Sequence, residues 1–165
     1  MSHLLYHWRR DNYYNDLDSG VGYNLNQSSP RLHEIQIGET LWAFTRNSKN
    51  DYTLAAKLIV KSKTQNPEGY RYGPYRVWAD LNSSQYFCIE SQKNISGLIR
   101  TFDLKAGRPG TPLGRAFQGH AAVRCLKNKD HDVLSQYSVN LKDEPRAKHI
   151  TEELLEICIR DEHLE

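Results

Sequence analysis

The stretch from residue 52 to 63 alternates between apolar and polar side chains, a pattern with the period of a β-strand. One predicted face carries Tyr52, Leu54, Ala56, Leu58 and Val60. The other carries Thr53, Lys57, Lys61 and Lys63, with Ala55 and Ile59 as the exceptions to the pattern. A strand with one apolar and one charged face is typical of an antiparallel sheet that covers a core on one side only. We therefore expect a sheet protein whose solvent-facing side is basic.

Shorter patterns on both sides of this strand complete the predicted fold. Further strands are expected at 4–8, 40–46, 75–79, 85–90 and within 114–126. Helical segments are expected at 32–35, after Asn94, from 128 or 129, and from Thr151. Residues 9–30 and 65–74 are polar or rich in glycine and proline, which predicts loops. Short strands followed by helices indicate an α+β domain, a small, twisted, mostly antiparallel β-barrel with flanking helices.

The length of 165 residues fits one domain, which we place at residues 1–163. The final Leu164-Glu165 is common as a cloning scar before a histidine tag, so we expect the domain to come from a longer protein. No apolar run approaches the roughly 20 residues that span a membrane. Cys88, Cys125 and Cys158 lie far apart, which argues against disulfides and a zinc site. These features predict a cytoplasmic protein with no membrane partner.

Charge is distributed unevenly along the chain. Between Arg46 and Asp80 there are seven basic residues and three acidic ones, whereas from Asp143 onward there are eight acidic and three basic residues. A basic middle suggests one face that binds an anion such as nucleic acid. A solvated strand face would give the same pattern.

Recognisable catalytic motifs are absent from the sequence. It contains no glycine-rich phosphate loop, no His-Glu-x-x-His, no Cys-x-x-Cys and no Gly-x-Ser-x-Gly. Asp80 and Glu90 are the only strand-borne carboxylates, and they do not form a nuclease-like metal set. We therefore expect no catalytic residue, no metal and no cofactor. Gln118 and His120 are additional candidates for ligand contact.

Aromatic residues occur in or beside most predicted strands. Such residues build cores, but a stack of rings with a few polar groups also binds an unpaired base. Base stacking contributes about 1–3 kcal/mol per base. The spacing alone is consistent with both a core and a pocket.

Four short stretches resemble the EVE branch of the PUA-like superfamily. They are Tyr6-x-Trp8, Gly20-Val21-Gly22-Tyr23-Asn24, the segment from Ile37 to Phe44, and the strand end Leu58-Ile59-Val60. The resemblance covers roughly the first 90 residues. In this chain the order Tyr23-Asn24 is inverted, and Glu39 stands where the family usually has Asp.

The resemblance implies a twisted barrel that takes a modified base into a cavity, often fused to an HNH-type nuclease. It implies a pocket that contains Tyr23, Asn24, Trp42 and Phe44. To these we add the strand-borne aromatic and acidic residues Trp8, Trp78, Asp80 and Tyr86. The predicted contacts to the nucleic-acid backbone are Arg46, Lys57, Lys61, Lys63, Arg71, Arg76, Ser83 and Ser84.

The first hypothesis is thus a noncatalytic domain that flips a modified base of DNA, 5-methylcytosine or a relative, and that targets a C-terminal nuclease domain of a restriction endonuclease. A second is an ASCH-like enzyme that acts on modified nucleosides or RNA, using Lys57 with Glu39 or Thr45. A third is a YTH-like module that binds modified RNA. A protein-interaction domain without a nucleic-acid ligand is the fourth.

Overall fold

The structure is a computed structural model that describes residues 3–19, 24–27, 30–70, 73–104, 112–117 and 122–147. Its strands are β1 (His3–His7), β2 (Asn24–Gln27), β3 (Thr40–Arg46), β4 (Tyr52–Gln65), β5 (Tyr75–Ala79), β6 (Gln85–Tyr86) and β7 (Val123–Leu126). Its helices are α1 (Arg10–Ser19), α2 (Pro30–Glu34), α3 (Ser96–Arg100) and α4 (Asn128–Ser138), with a 3-10 helix at Leu113–Ala116. The expected α+β class is confirmed.

The sheet runs in the order β2-β5-β4-β3-β1-β7, and β6 pairs with β4 beside this path. The β1–β3 pair is parallel, and the other pairs are antiparallel. Over the described residues the path is open, because β2 and β7 are its two ends. α2 contacts both β5 and β7, and Arg31 Nη1 donates to the carbonyl of Val123 at 2.9 Å. This helix therefore bridges β7, one end of the sheet, and β5, the strand next to the other end.

Apolar side chains cover both faces of the sheet. The first core contains Leu4, Tyr6, Trp8, Leu41, Ala43, Leu58, Val60, Val77, Tyr86 and Val123, together with Tyr13 and Leu17 of α1 and Leu32 of α2. The second core contains Leu5, Trp42, Phe44, Tyr52, Leu54 and Leu126, together with Ile95, Ile99, Leu113, Phe117 and Leu134. Neighbouring residues of β1 and β3 alternate between the two cores, as strand geometry requires. The sheet is thus a middle layer between two groups of helices.

The face assignment predicted for β4 is wrong at its start. Ala43 pairs with Ala56 and Phe44 pairs with Leu54, so Ala55 is the extra residue of a β-bulge. Leu54 consequently belongs to the second core, whereas Ala56 packs in the first. The predicted single apolar face is in fact divided between the two cores.

Three other segments differ from the predictions. Part of the expected loop at 9–30 forms α1, which buries Tyr13 and Leu17 one helical turn apart. The strand expected at 85–90 ends after Tyr86, and most of 114–126 is not a strand, since β7 begins at Val123. The helix expected from Thr151 and the terminal Leu164-Glu165 lie outside the described residues. Of the helices described, none combines the length and the apolar character needed to cross a membrane.

Candidate functional site

A cleft of about 610 Å³ opens where β1 and β3 end. It is lined by the last residues of those strands, the start of α1, the start of β4 and the 3-10 helix. Its cationic residues are Arg9, Arg10, Arg46 and Arg115, and its rings are Tyr6, His7, Tyr52 and Phe117. A volume of this size lies in the range of small-ligand sites in proteins. We refer to this feature as the arginine cleft.

The parallel pairing of β1 with β3 assembles the arginine cleft. His7 pairs with Phe44, and the ladder continues through a hydrogen bond from the Trp8 N–H to the Phe44 carbonyl at 2.8 Å. The hydroxyl of Thr45 donates to the Trp8 carbonyl at 2.6 Å. Because parallel strands end at the same edge of a sheet, Arg9 and Arg46 leave it side by side. Ligands of open sheets bind preferentially at such carboxyl edges.

The cations of the arginine cleft are incompletely neutralised. Arg9 forms an exposed ion pair with Asp11 at 3.0 Å, and Arg10 donates to the side-chain oxygen of Asn50. The ion pairs found among the described residues do not include Arg46 or Arg115. The Arg46 guanidinium lies over the Tyr52 ring, 4.5 Å from its centroid. The cleft thus presents unpaired positive charge beside an aromatic surface, which suits an anion with a planar group.

His7 is packed at the inner end of the arginine cleft. Its ring centroid lies 4.9 Å from that of Phe44 and 6.0 Å from that of Tyr52. Its Nε2 atom is buried and has no hydrogen-bond partner within the described part of the chain. Burial, followed by the charges of Arg46 and Arg9, lowers the pKa of His7 from 6.5 to about 4. His7 is therefore a neutral imidazole at physiological pH.

Gly114 closes the arginine cleft against His7. A Cβ atom at position 114 would lie 2.6 Å from His7 Cε1. The Gly114 N–H donates to the Tyr52 hydroxyl at 2.9 Å, which fixes the 3-10 helix to the start of β4. The absence of a side chain at this position lets the two elements meet.

The predicted aromatic pocket residues are distributed over both cores. Trp8 and Tyr86 meet in the first core with ring centroids 5.8 Å apart. Trp42 and Phe44 are fully buried in the second core, on the opposite side of the sheet. The four rings therefore do not line one common pocket. Phe44 contributes to the arginine cleft indirectly, because it supports the rings of His7 and Phe117.

The other predicted pocket residues lie near β5. Asn24 pairs with Trp78 in the β2–β5 ladder, and Trp78 Nε1 donates to Thr64 Oγ1 at 2.9 Å. The Asp80 carboxylate accepts from the Ser83 hydroxyl and from the Asn82 N–H, and these bonds lower its pKa. Asp80 thus organises the turn that follows β5. Tyr23 lies outside the described residues.

The predicted phosphate-binding residues also lie in different parts of the molecule. Arg46 lines the arginine cleft and Lys61 is exposed on β4. Lys57 Nζ lies 5.4 Å from the centroid of the Trp42 ring, and Lys63 Nζ donates to the His33 carbonyl at 2.8 Å. Arg76 is only 2% exposed.

Ser84 is buried, and its hydroxyl oxygen accepts from the Ile59 N–H at 2.8 Å. The hydroxyl of the neighbouring Ser83 is bonded to Asp80. Both serine hydroxyls therefore have structural partners in the protein. Arg71, Gln118 and His120 lie outside the described residues.

Sequence reasoning missed most of the residues that line the arginine cleft. His7, Arg9, Arg10, Asn12, Tyr52 and Arg115 were not predicted to form a site. The one local signal was the pair Arg9-Arg10 directly after a strand and before a helix. Among the described residues, no group of three or more His, Cys, Asp or Glu side chains is placed to hold a metal ion.

Comparison with known proteins identifies no family for this chain. No protein-family model matches the sequence, and no curated protein matches it.

Proposed function

We propose that the chain is a nucleic-acid-binding domain that takes a nucleotide into the arginine cleft. The single observation that carries this proposal is the grouping of four arginines with aromatic rings in one cleft of about 610 Å³. Arginine is suited to this task because its planar guanidinium donates to two phosphate oxygens at once and stacks on rings.

The polar and aromatic walls support a nucleotide rather than a bare anion. The side chain of Asn12 lines the cleft and makes no hydrogen bond within the described residues. An amide pairs with the edge of a base through one donor and one acceptor. Tyr52 and Phe117 supply ring surface for the base, and Arg46 and Arg115 supply charge for its phosphates.

The finer form of the proposal comes from the resemblance to EVE domains. In this form the sheet and α2 correspond to a PUA-like barrel, and the contacts of α2 with both β5 and β7 support this. The base taken into the cleft is a modified cytosine of DNA, flipped out of the duplex. The domain itself then selects the site, and a fused nuclease domain cleaves the DNA.

Binding of fluorescent DNA duplexes with and without a central 5-methylcytosine tests this function at fixed salt. We expect tighter binding to the modified duplex. Equal affinity for both duplexes would contradict the proposal that the domain recognises a modified base. Competition with RNA of the same sequence decides between DNA and RNA.

Substitution of the cleft arginines tests the location of the site. Arg46→Gln and Arg115→Gln should each weaken binding roughly tenfold, the loss of a hydrogen bond to a charged group. Lys129→Gln is the matched control, because Lys129 is exposed on α4 and lies outside the cleft. Near Lys129, His131 stacks on His3, at the end of β1 away from the cleft. Equal losses in all three variants would place the site elsewhere.

A further inference from the structure

Arginines outnumber carboxylates around His7. Arg9 follows β1, Arg10 begins α1, Arg46 ends β3, and Arg115 belongs to the 3-10 helix. From β4, Tyr52 contributes a neutral hydroxyl that accepts from Gly114. From α1 comes Asp11, the one carboxylate that lines the cleft among the described residues, and Arg9 already pairs with it. Within the described residues, no carboxylate other than Asp11 is therefore placed to compensate a charge on His7.

A phosphate group bound at Arg46 would supply the negative charge that can compensate a proton on His7. The Arg46 guanidinium lies over the Tyr52 ring. Within the described residues its buried Nε has no hydrogen-bond partner, and the group has no ion-pair partner. Arg46 and His7 line the same cleft, and both lie against the ring of Tyr52. The charge of Arg46 also contributes to lowering the pKa of His7, so an anion at Arg46 brings negative charge within range of the imidazole.

We propose that the arginine cleft binds a phosphate ester at Arg46 and that this binding is coupled to the uptake of one proton by His7. The inference rests on the proposed function, since it names the group of the nucleotide that the cleft holds and the condition that strengthens binding. The proton comes from solvent and joins an imidazole nitrogen, and no other bond changes. Within the described residues, the buried Nε2 of His7 has no hydrogen-bond partner, which marks the ring as a group of the cleft that a ligand could affect.

The size of the effect follows from general electrostatics. An opposite charge within about 4–6 Å raises the pKa of a histidine by roughly 1 to 3. Starting from about 4 in the free protein, the pKa of His7 would then rise toward about 6 in the complex. Affinity should accordingly increase by up to tenfold for each pH step of about 1 below that value.

The test measures binding between about pH 5 and pH 8. The probe is a duplex that carries 5-methylcytosine and a rhodamine label, whose emission does not change with pH in this range, and it has no terminal phosphate, because a terminal phosphate itself titrates near pH 6. His7→Gln removes the titrating group and keeps a polar side chain. His3→Gln is the matched control, since His3 begins β1 and lies outside the cleft.

We expect the wild type and His3→Gln to bind more tightly as the pH falls, by about tenfold over the range, whereas His7→Gln shows a much flatter profile. Calorimetry in two buffers of different ionisation enthalpy should show proton uptake in the first two proteins only. An equal pH dependence in His7→Gln would overturn the coupling between phosphate binding and protonation of His7, but not the proposed function. Failure of the wild type to bind at any pH overturns the proposed function as well.

A direct measurement keeps the proposal falsifiable if His7→Gln does not fold. The imidazole resonance of His7 can be titrated by NMR in the wild type, with and without the duplex. A higher pKa in the complex supports the coupling. An unchanged pKa in the complex contradicts it.

Discussion

Gly114 lies against the imidazole of His7 only because it has no side chain. The backbone conformation of Gly114 is not the constraint, since its φ is not in the left-handed region. The constraint is space: a single methyl group would overlap the His7 ring. This contact brings the 3-10 helix onto β1 and leaves Arg115 at the cleft.

Gly114→Ala should therefore destabilise the protein by about 1–3 kcal/mol, the usual result of overpacking. Gly97→Ala is the matched control, because a Cβ at position 97 meets no atom within 4 Å and Gly97 lies in α3. Alanine in a helix is favoured over glycine by up to about 1 kcal/mol, so the control should gain stability. Urea unfolding measures both values. Equal changes would show that the contact with His7 is not tight.

The same histidine should make stability depend on pH. The pKa of His7 is lower in the folded protein, about 4 against 6.5, so folding favours its neutral form. This contribution is fully present above pH 6.5 and is lost as the pH falls toward 4. Its full size is on the order of 3 kcal/mol.

Unfolding free energies at about pH 7.5 and pH 4.5 would measure this contribution in the wild type and in His7→Gln. The wild type should lose more stability on acidification than the variant. The comparison removes the contributions of other groups, since burial also lowers the pKa of His3 and of His131. Parallel losses in both proteins would assign the acid sensitivity to those groups.

At the scale of elements, β4 shows why alternation alone misplaces side chains. The alternation places Leu54 and Ala56 on one face with Ala55 as an exception between them, yet the bulge there moves Leu54 to the opposite face from Ala56. A bulge depends on the partner strand, so the interruption at Ala55 does not by itself show that the preceding residues change face. In contrast, the bounds of β3 and β5 were predicted correctly, because each is a short apolar run between turns.

Gln92 takes the place of a strand beside β4. Its side-chain oxygen accepts from the Leu54 N–H at 2.8 Å, and its Nε2 donates to the Leu54 carbonyl at 2.7 Å. The amide therefore satisfies both backbone groups where β6 has already ended. A pairing between a side chain and a distant backbone cannot be read from local sequence.

Gln92→Ala should leave both Leu54 backbone groups buried without partners and cost about 2–4 kcal/mol of stability. Gln136→Ala is the matched control, because Gln136 is exposed on α4 and should tolerate the change within about 0.5 kcal/mol. Thermal or urea unfolding measures the difference. A small loss for Gln92→Ala would mean that water replaces the amide.

On the scale of the whole molecule, the fold class was predictable and the candidate site was not. The α+β class follows from short strand and helix patterns in the sequence, several of which form the predicted elements in the structure. The arginine cleft joins segments that are distant in sequence, with Arg9, Arg46 and Arg115 brought together by the β1–β3 pairing and the 3-10 helix. The prediction of an aromatic pocket did not include this pairing of strands. The side chains of β1 and β3 alternate between the two faces of the sheet, so the predicted rings are divided between the two cores.

The distance between the arginine cleft and the lysines of β4 leads to a final prediction. Lys61 is exposed and lies nine residues beyond Tyr52 in β4. At about 3.3 Å per residue the separation is on the order of 30 Å. A duplex rises about 3.4 Å per base pair, so roughly nine base pairs are needed to reach from the cleft to Lys61. Lys61 should therefore contribute to binding only when the DNA is long enough.

The test compares binding to a duplex of about 22 base pairs, with the modified base at its centre, and binding to a hairpin with a stem of about six base pairs, with the modified base at the stem midpoint. On the long duplex, Lys61→Gln should reduce the salt dependence of log K by about 0.9, the contribution of one phosphate contact. On the hairpin it should change nothing. Arg46→Gln is the reference, because a residue in the cleft should lower the slope on both. If Lys61→Gln lowers both slopes equally, the DNA does not run along β4 from the cleft.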